Sequence, residues 1–309
     1  MATEPAVGFV AAPVATLWSD PAAVRPVDAP ALAPRADVAA WVTRMDRDER
    51  VGDCVVSQLL LGERVLVEEV RPDGWARAVA VEQPAARLDP RGYPGWLPAS
   101  QLAPAAGPEP SLVVDALTTG LRDRPGGRIV LPGVVLGTRF APAGPPVDGF
   151  QPVHVPGQDR PLWALSTAVV PPSIPSAATD VLALARRLVD RVYVWGGMSR
   201  HGIDCSGLVH LAWRRFGVRL PRDASDQADA TDPLPPGEER PGDLYFFARP
   251  GHAVHHVGFV SDRGPGHMLH ACSQRRLVVE EPMPPDRVAT LAAAHRVALP
   301  GGLAAAAAA

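Results

Sequence analysis

Cys205, His256 and His270 are the residues of this chain whose types and spacing can do covalent chemistry. Cys205 follows Asp204 and opens an amphipathic segment running to Phe216, after a loop carrying Gly196 and Gly197. A thiol in the first turn of a helix faces unpaired backbone N–H groups and the positive end of the helix dipole, and both favour thiolate. The ordinary alternative, a buried structural cysteine, is the commoner fate of an isolated Cys. The histidines decide against it. In the run Val254 to Val260, strand alternation places Val254, His256, Gly258 and Val260 on one face. A hairpin closed by Ser261 to Pro265 sets Val260 opposite Gly266 and His256 opposite His270, with Cβ atoms about 4.5–5.5 Å apart. Such a pair suits a base and its orienting partner. His256 takes the proton of Cys205, and His270 bonds the far nitrogen of His256 and fixes its tautomer.

A competing reading of the same stretch is a metal site, because His252, His255, His256, His267 and His270 cluster. A metal would want histidines at helical spacing, paired cysteines or nearby carboxylates, and none accompany them. No metal and no organic cofactor is expected, and His252, His255 and His267 read as surface residues.

These groups must be positioned by a larger framework. With 309 residues the starting expectation is two or three domains. Basic residues number 30 against 33 acidic, for a net charge of -3, with no basic block or stripe, so nucleic acid is not an expected partner. Thirty-six prolines and 28 glycines imply short strands joined by turns, while 47% hydrophobic residues argue against disorder. Cys54, Cys205 and Cys272 are odd in number and widely spaced, which fits a reducing compartment better than a disulfide framework. Met1 to Ala15 lacks Lys and Arg and is interrupted by Pro5 and Pro13, so it does not read as a secretory signal. No apolar run reaches the roughly 18 residues that span a bilayer. The expected location is the cytoplasm, as a monomer with no membrane partner.

Residues 1–50 read as an extended arm, with a short helix between Asp37 and Arg50. From 51 to 103 the pattern is that of strands, Val55 to Leu60, Arg64 to Val70, Trp75 to Val81 and Gly95 to Leu97, punctuated by Gly62, Asp73-Gly74 and Arg91-Gly92. A weaker repeat of this pattern covers 111–170. The proline-rich run Val170 to Pro175 is a stiff linker. In 177–300, helices capped by Thr179 or Asp180 and by Asp204 come first, and strands Leu244 to Phe247, Val254 to Val260, His267 to Cys272 and Leu277 to Glu280 follow. Helices before an antiparallel sheet make an α+β arrangement. The run Ala304 to Ala309 has no evident packing partner.

In order along the chain stand Tyr193-Val194-Trp195-Gly196-Gly197, Asp204-Cys205-Ser206-Gly207, Leu220-Pro221-Arg222-Asp223, Pro241-Gly242-Asp243-Leu244, His256-Val257-Gly258 and Leu269-His270-Ala271. Together they resemble the NlpC/P60 cysteine peptidases over about 180–300, while 51–103 and 111–170 resemble bacterial SH3 domains. The resemblance implies a papain-like α+β catalytic domain behind two small all-β SH3-like barrels. It implies Cys205 as nucleophile, His256 as base and His270 as third member. Tyr193, Asp204 and Ser206 match substrate-lining positions of relatives that are dipeptidyl peptidases cleaving γ-D-glutamyl–diamino acid bonds in murein peptides with a free L-Ala amine. Asp204 can pair with that ammonium, serve as helix N-cap, or do both. Tyr193 is either a packed strand aromatic or a hydroxyl aimed at the oxyanion beside the backbone N–H of Cys205. Tyr93 is the candidate contributed by the first barrel, and Ser225 a further candidate for substrate contact. The implied activity is hydrolysis of L-Ala-γ-D-Glu-diamino acid peptides in wall recycling. The rivals are an exported endopeptidase on polymeric peptidoglycan and a non-catalytic wall-peptide-binding module.

Overall fold

The strand pattern between Val55 and Leu102 folds as antiparallel sheet, and the sheet is larger than the sequence suggests. The computed structural model describes residues 5–104, 108–172 and 180–298. Seven strands run in the order Val55–Leu60, Val14–Trp18, Tyr93–Pro98, Trp75–Ala80, Arg64–Val70, Ala6–Val10 and Leu102–Ala103. The N-terminal arm expected over 1–50 is therefore not an arm, because two of its segments are strands of this sheet. Val10, Val14, Ala15, Leu17 and Trp18 bury their side chains there, and their backbones satisfy N–H and C=O groups that the neighbouring strands would otherwise leave open. Pro13 falls between the two strands, where no ladder bond is lost. The short helix is Val38–Arg44, with the Asp37 carboxylate accepting from the Ala40 N–H at 2.9 Å.

Residues 112–170 form a four-stranded sheet, Ile129–Val135, Thr118–Arg122, Leu162–Leu165 and Phe150–Val153, and a three-stranded one, Arg139–Phe140, Leu112–Val114 and Val169–Val170. Thr118–Arg122 has only Leu121 fully buried, which explains why its alternation is too weak to read in the sequence. Ser173 to Pro175 of the expected linker, Thr179 and the alanine run lie outside the described residues.

Beyond it, helix Val181–Arg186 is capped by Asp180, and the longer helix Cys205–Arg215 is capped by Asp204. The latter ends at Gly217, whose φ of +80° is the left-handed conformation that glycine adopts without penalty. Its apolar side chains Leu208 and Leu211 pack in one core with Val257, Phe259 and Leu269 of the sheet behind it. That sheet has six antiparallel strands in the order Asp232–Pro233, Leu291–Arg296, Leu244–Ala248, Val254–Val260, His267–Cys272 and Leu277–Pro282. Arg214 and Arg215 do more than complement the helix dipole. Arg214 Nη1 donates to Glu63 at 2.6 Å and Arg215 Nε to Asp115 at 2.7 Å, so one helix end is tied to both N-terminal β units. No described helix is long and apolar enough to cross a membrane.

The hairpin carrying the two histidines departs from the expected register. Val260 pairs with Met268 and Phe259 with Leu269, so Gly258, rather than His256, stands opposite His270. The Ser261 N–H bonds the His267 carbonyl at 3.0 Å, which moves the loop one residue further along the chain and changes the partner of each strand residue by two, from Gly266 to Met268 for Val260. A two-residue change of register preserves the face, since side chains alternate with period two. His256 and His270 therefore meet diagonally.

Candidate active site

Asp204 builds the first half of the site. Its Oδ1 accepts from the Gly207 N–H at 2.6 Å, and its extended backbone starts the helix one residue before Cys205. The Cys205 sulfur thereby faces the backbone N–H groups of Ser206 and of Val257, the residue after His256. Helix and strand meet at the thiol.

The second half comes from the sheet. His256 Nε2 lies 2.7 Å from His270 Nδ1, with the rings nearly perpendicular at 79°. This leaves His256 Nδ1 free to accept a proton. Phe247 pairs with His256 across the strands and its ring lies 5.5 Å away, while the Arg287 guanidinium lies over the same Phe247 ring at 5.5 Å. His270 Nε2 is 3.4 Å from Glu281 Oε1. One consistent proton arrangement runs through the three groups: His256 Nε2–H toward His270 Nδ1 and His270 Nε2–H toward Glu281, which makes His256 Nδ1 the acceptor.

Burial governs the charges. It pushes the Cys205 thiol up to about 12, with Asp204 adding to the effect and the N–H groups of Val257 and Ser206 opposing it. It holds His256 well below the usual imidazole value, helped by repulsion from His270 and Arg287. His270 falls to about 4 for the same reason, and its bond to Glu281 only partly restores it. The helix N-terminus was expected to favour thiolate at rest. Desolvation outweighs it here and favours the neutral forms of both Cys205 and His256.

A buried ion pair braces this end of the helix. Arg222 gives Nη1 to Asp204 Oδ1 at 3.0 Å, Nη2 to Oδ2 at 2.7 Å, and Nη1 also to Ser206 Oγ at 2.9 Å. The Gly196 N–H adds a bond to Asp204 Oδ2 at 2.8 Å.

The thiol stands at a helix start and the histidine pair on an antiparallel sheet, with the pair diagonal where the sequence places it directly across. The NlpC/P60 family model matches residues 190–287. A gamma-D-glutamyl-L-lysine dipeptidyl-peptidase of Bacillus subtilis (strain 168) is 33% identical over 84% of this chain and 87% of its own. The chain belongs to the NlpC/P60 family. A second gamma-D-glutamyl-L-lysine dipeptidyl-peptidase, from Bacillus cereus (strain ATCC 10987), is 28% identical over 87% of this chain and 84% of its own. The crystal structure of an NlpC/P60 family protein from Bacillus cereus ATCC 10987 superposes with a TM-score of 0.81 at 26% identity, covering 94% of this chain and 99% of that one. This NlpC/P60 protein is a cysteine peptidase with the papain-like catalytic fold.

The remaining residues singled out in the sequence lie around that NlpC/P60 centre unevenly. Tyr193 is buried, and burial together with the nearby Cys205 and Asp204 pushes its hydroxyl well up, so it is a protonated donor beside the thiol. Ser206 is buried in the Asp204–Arg222 cluster. Tyr93 reaches over from the first β unit and donates its hydroxyl to Asp223 Oδ2 at 3.0 Å. Ser225 lies in the first turn of the short helix Ala224–Asp229 and bonds none of these groups.

Asp204 differs from expectation. Two backbone N–H groups and both Arg222 nitrogens fill its four lone-pair directions, so it has no room for an ammonium unless Arg222 leaves. The carboxylate with capacity to spare in this NlpC/P60 site is Asp223, of which only Oδ2 is bonded, and burial raises it above the ordinary carboxylate value. Arg222 and Asp223 stand in one of the sequence motifs, yet sequence reasoning gave them no role. Their signal was the opposite charges of Pro221-Arg222-Asp223 just ahead of a helix. Further contacts seat the first β unit: Arg222 Nε donates to Ser57 Oγ at 3.0 Å, and the Met198 N–H to Gln58 Oε1 at 2.9 Å.

The metal reading also changes. Cysteine and carboxylate do accompany one histidine, because His270, Cys272 and Glu281 bring ligand atoms within 4.8 Å of one another.

Proposed function

We propose that this chain hydrolyses the γ-D-glutamyl–diamino acid bond of short cell-wall peptides bearing a free N-terminal L-Ala, with Cys205 as nucleophile, His256 as base and His270 as its orienting partner. The observation that carries this is the conjunction of the Cys205–His256–His270 array with the Asp223 carboxylate and the Tyr93 hydroxyl at 3.0 Å on the opposing β unit. A carboxylate and a phenol oxygen together can accept from an ammonium. The similarity to gamma-D-glutamyl-L-lysine dipeptidyl-peptidases over most of the chain supports the same bond.

In this reading His256 Nδ1 takes the Cys205 proton as the sulfur attacks the γ-carbonyl. The oxyanion forms beside the Cys205 backbone N–H and the Tyr193 hydroxyl. The imidazolium gives its proton to the leaving amine, and a thioester remains. Water, deprotonated by the same His256, then releases the dipeptide and restores the thiol. Ser206 acts by holding Arg222 and Asp204, and Ser225 is the weakest of the substrate-contact candidates. The N-terminal units are read as SH3-like barrels, 51–103 and 111–170, ahead of a peptidase domain over 177–300. The first of them narrows the site to short peptides. The proposed setting is cytoplasmic recycling of wall fragments, with the three free cysteines as support.

Mass spectrometry of free and N-blocked L-Ala-γ-D-Glu-diamino acid peptides, with Cys205→Ala as control, tests this. Cleavage of the free peptide alone is expected. Equal cleavage of both would overturn the free-amine reading in favour of an endopeptidase on polymeric wall, and no cleavage by the wild type would leave a binding module.

A further inference from the structure

Cys272 takes no part in the proton path, yet it lies two residues after His270 on the same strand face. Glu281 sits opposite Met268 on the adjacent strand, so its side chain joins that face. A ring nitrogen of His270, Cys272 Sγ and a Glu281 oxygen lie within 4.8 Å of one another, with His270 and Cys272 buried and Glu281 at the rim, and Nε2 is the nitrogen toward Glu281 while Nδ1 is bonded to His256. The 3.4 Å from His270 Nε2 to Glu281 Oε1 is close to the edge of a tetrahedron whose ligands stand roughly 2.0–2.1 Å from a central zinc.

We propose that His270, Cys272 and Glu281 form a zinc site, completed by water, that reversibly switches the peptidase off. The switch rests on the reading of His256 and His270 given above. One imidazole, one thiolate and one carboxylate suit zinc, whereas magnesium and calcium take oxygen ligands. The ligands' two negative charges balance the ion. Arg275 Nη2 bonds Glu281 Oε2 at 3.1 Å and leaves Oε1 to the metal, while the Arg275 backbone N–H already points at Cys272 Sγ from 3.4 Å. Asp286 and Arg287 are the other charged groups acting on His270.

Zinc on Nε2 forces the remaining proton of a neutral His270 onto Nδ1. That nitrogen then donates to His256 Nε2, so the His256 proton moves to Nδ1, the position that must accept from Cys205. The base is blocked by its tautomer. The Cys272 thiol proton is released to solvent. The Nε2 proton that leaves His270 is matched by the one gained at His256 Nδ1, with the proton between the rings changing owner, so one proton is lost net.

Calorimetry with zinc chloride on full-length Cys205→Ala is expected to give one zinc per chain, and Cys205→Ala/Cys272→Ser to give none. In the peptidase assay, zinc is expected to inhibit the wild type at least tenfold with recovery on EDTA. Cys272→Ser is expected to keep its uninhibited rate and need at least tenfold more zinc. Equal inhibition of Cys272→Ser and wild type would overturn the proposal by placing the metal on Cys205, and so would absence of binding to Cys205→Ala. The binding arm does not depend on the substrate, so failure of the site and failure of the functional reading give different results.

Discussion

The Nε2 of His256 lies 2.7 Å from Nδ1 of His270 because Gly258 occupies the position opposite His270 and has no side chain. A Cβ at Gly258 would stand 2.9 Å from the His270 Cβ and 2.6 Å from the Met268 Cε. Met268 can swing aside, but the His270 Cβ is fixed by the backbone. Gly258→Ala is therefore expected to push the His270 ring off His256, lowering kcat at least tenfold and costing about 1–3 kcal/mol of stability from overpacking. Steady-state kinetics and urea unfolding check both. Unchanged kcat would show that the diagonal contact is not needed.

How far the sequence reached is clear from this same hairpin. Alternation in Val254 to Val260 assigns the face correctly, since a side chain's face depends only on parity. The register depends on where the loop closes, and the loop residues Ser261 to Gly266 do not encode that in their types. The helix from Cys205 to Gly217 was legible because its cap and its left-handed terminator are local features. The roles of Arg222 and Asp223, though both stand in a sequence motif, were not, because their partners Asp204 and Tyr93 lie 18 and 130 residues away in the chain. The two N-terminal strands escaped for a similar reason: Ala6–Val10 pairs with Arg64–Val70, and nothing near Pro13 announces that partner.

Glu281 is expected to set the direction of the whole proton path. Its carboxylate can only accept, which requires the His270 proton on Nε2 and in turn makes His256 Nδ1 an acceptor. Glu281→Gln can donate instead and permits the opposite set of tautomers. A fall in kcat of at least tenfold with KM little changed is expected, with partial recovery in Glu281→Asp. A purely structural role would instead change KM and thermal stability together.

The Arg222–Asp204 pair is buried, with Arg222 side-chain exposure of 1%. Removing one partner leaves an uncompensated charge, so Arg222→Ala is expected to cost about 3–5 kcal/mol. Denaturant midpoints measure it, and a double-mutant cycle with Asp204→Asn isolates the coupling. A loss below about 1 kcal/mol would mean that water reaches the vacated site.

Alkylation separates the two possible resting states of Cys205. Because burial raises the thiol to about 12, it is protonated at neutral pH, and its reaction with iodoacetamide in the free enzyme is expected to be slow at pH 7. The rate should climb roughly tenfold per pH unit toward that value, following the thiolate fraction. A plateau beginning near pH 7 would show a preformed thiolate–imidazolium pair. Mass spectrometry at Cys205, with Cys54 and Cys272 read in the same digest, provides the measurement.

Asp223 is the group on which amine recognition turns. An ammonium binds its ionised form, and burial raises its carboxyl above the usual value while Arg222 opposes the rise. Lowering the pH through that raised value protonates Asp223, so binding of the free-amine peptide should weaken at a higher pH than an exposed aspartate would give. Asp223→Asn keeps the shape and removes the charge. It is expected to raise KM for the free-amine peptide about tenfold or more, matching the roughly 1.5–3 kcal/mol of a charge-assisted hydrogen bond, with kcat nearly unchanged. The N-blocked peptide should be unaffected, so the preference between the two should collapse and its acid limb should vanish. If Asp223→Asn retains the full preference, the ammonium is held elsewhere, and Asp204 after displacement of Arg222 becomes the group to test.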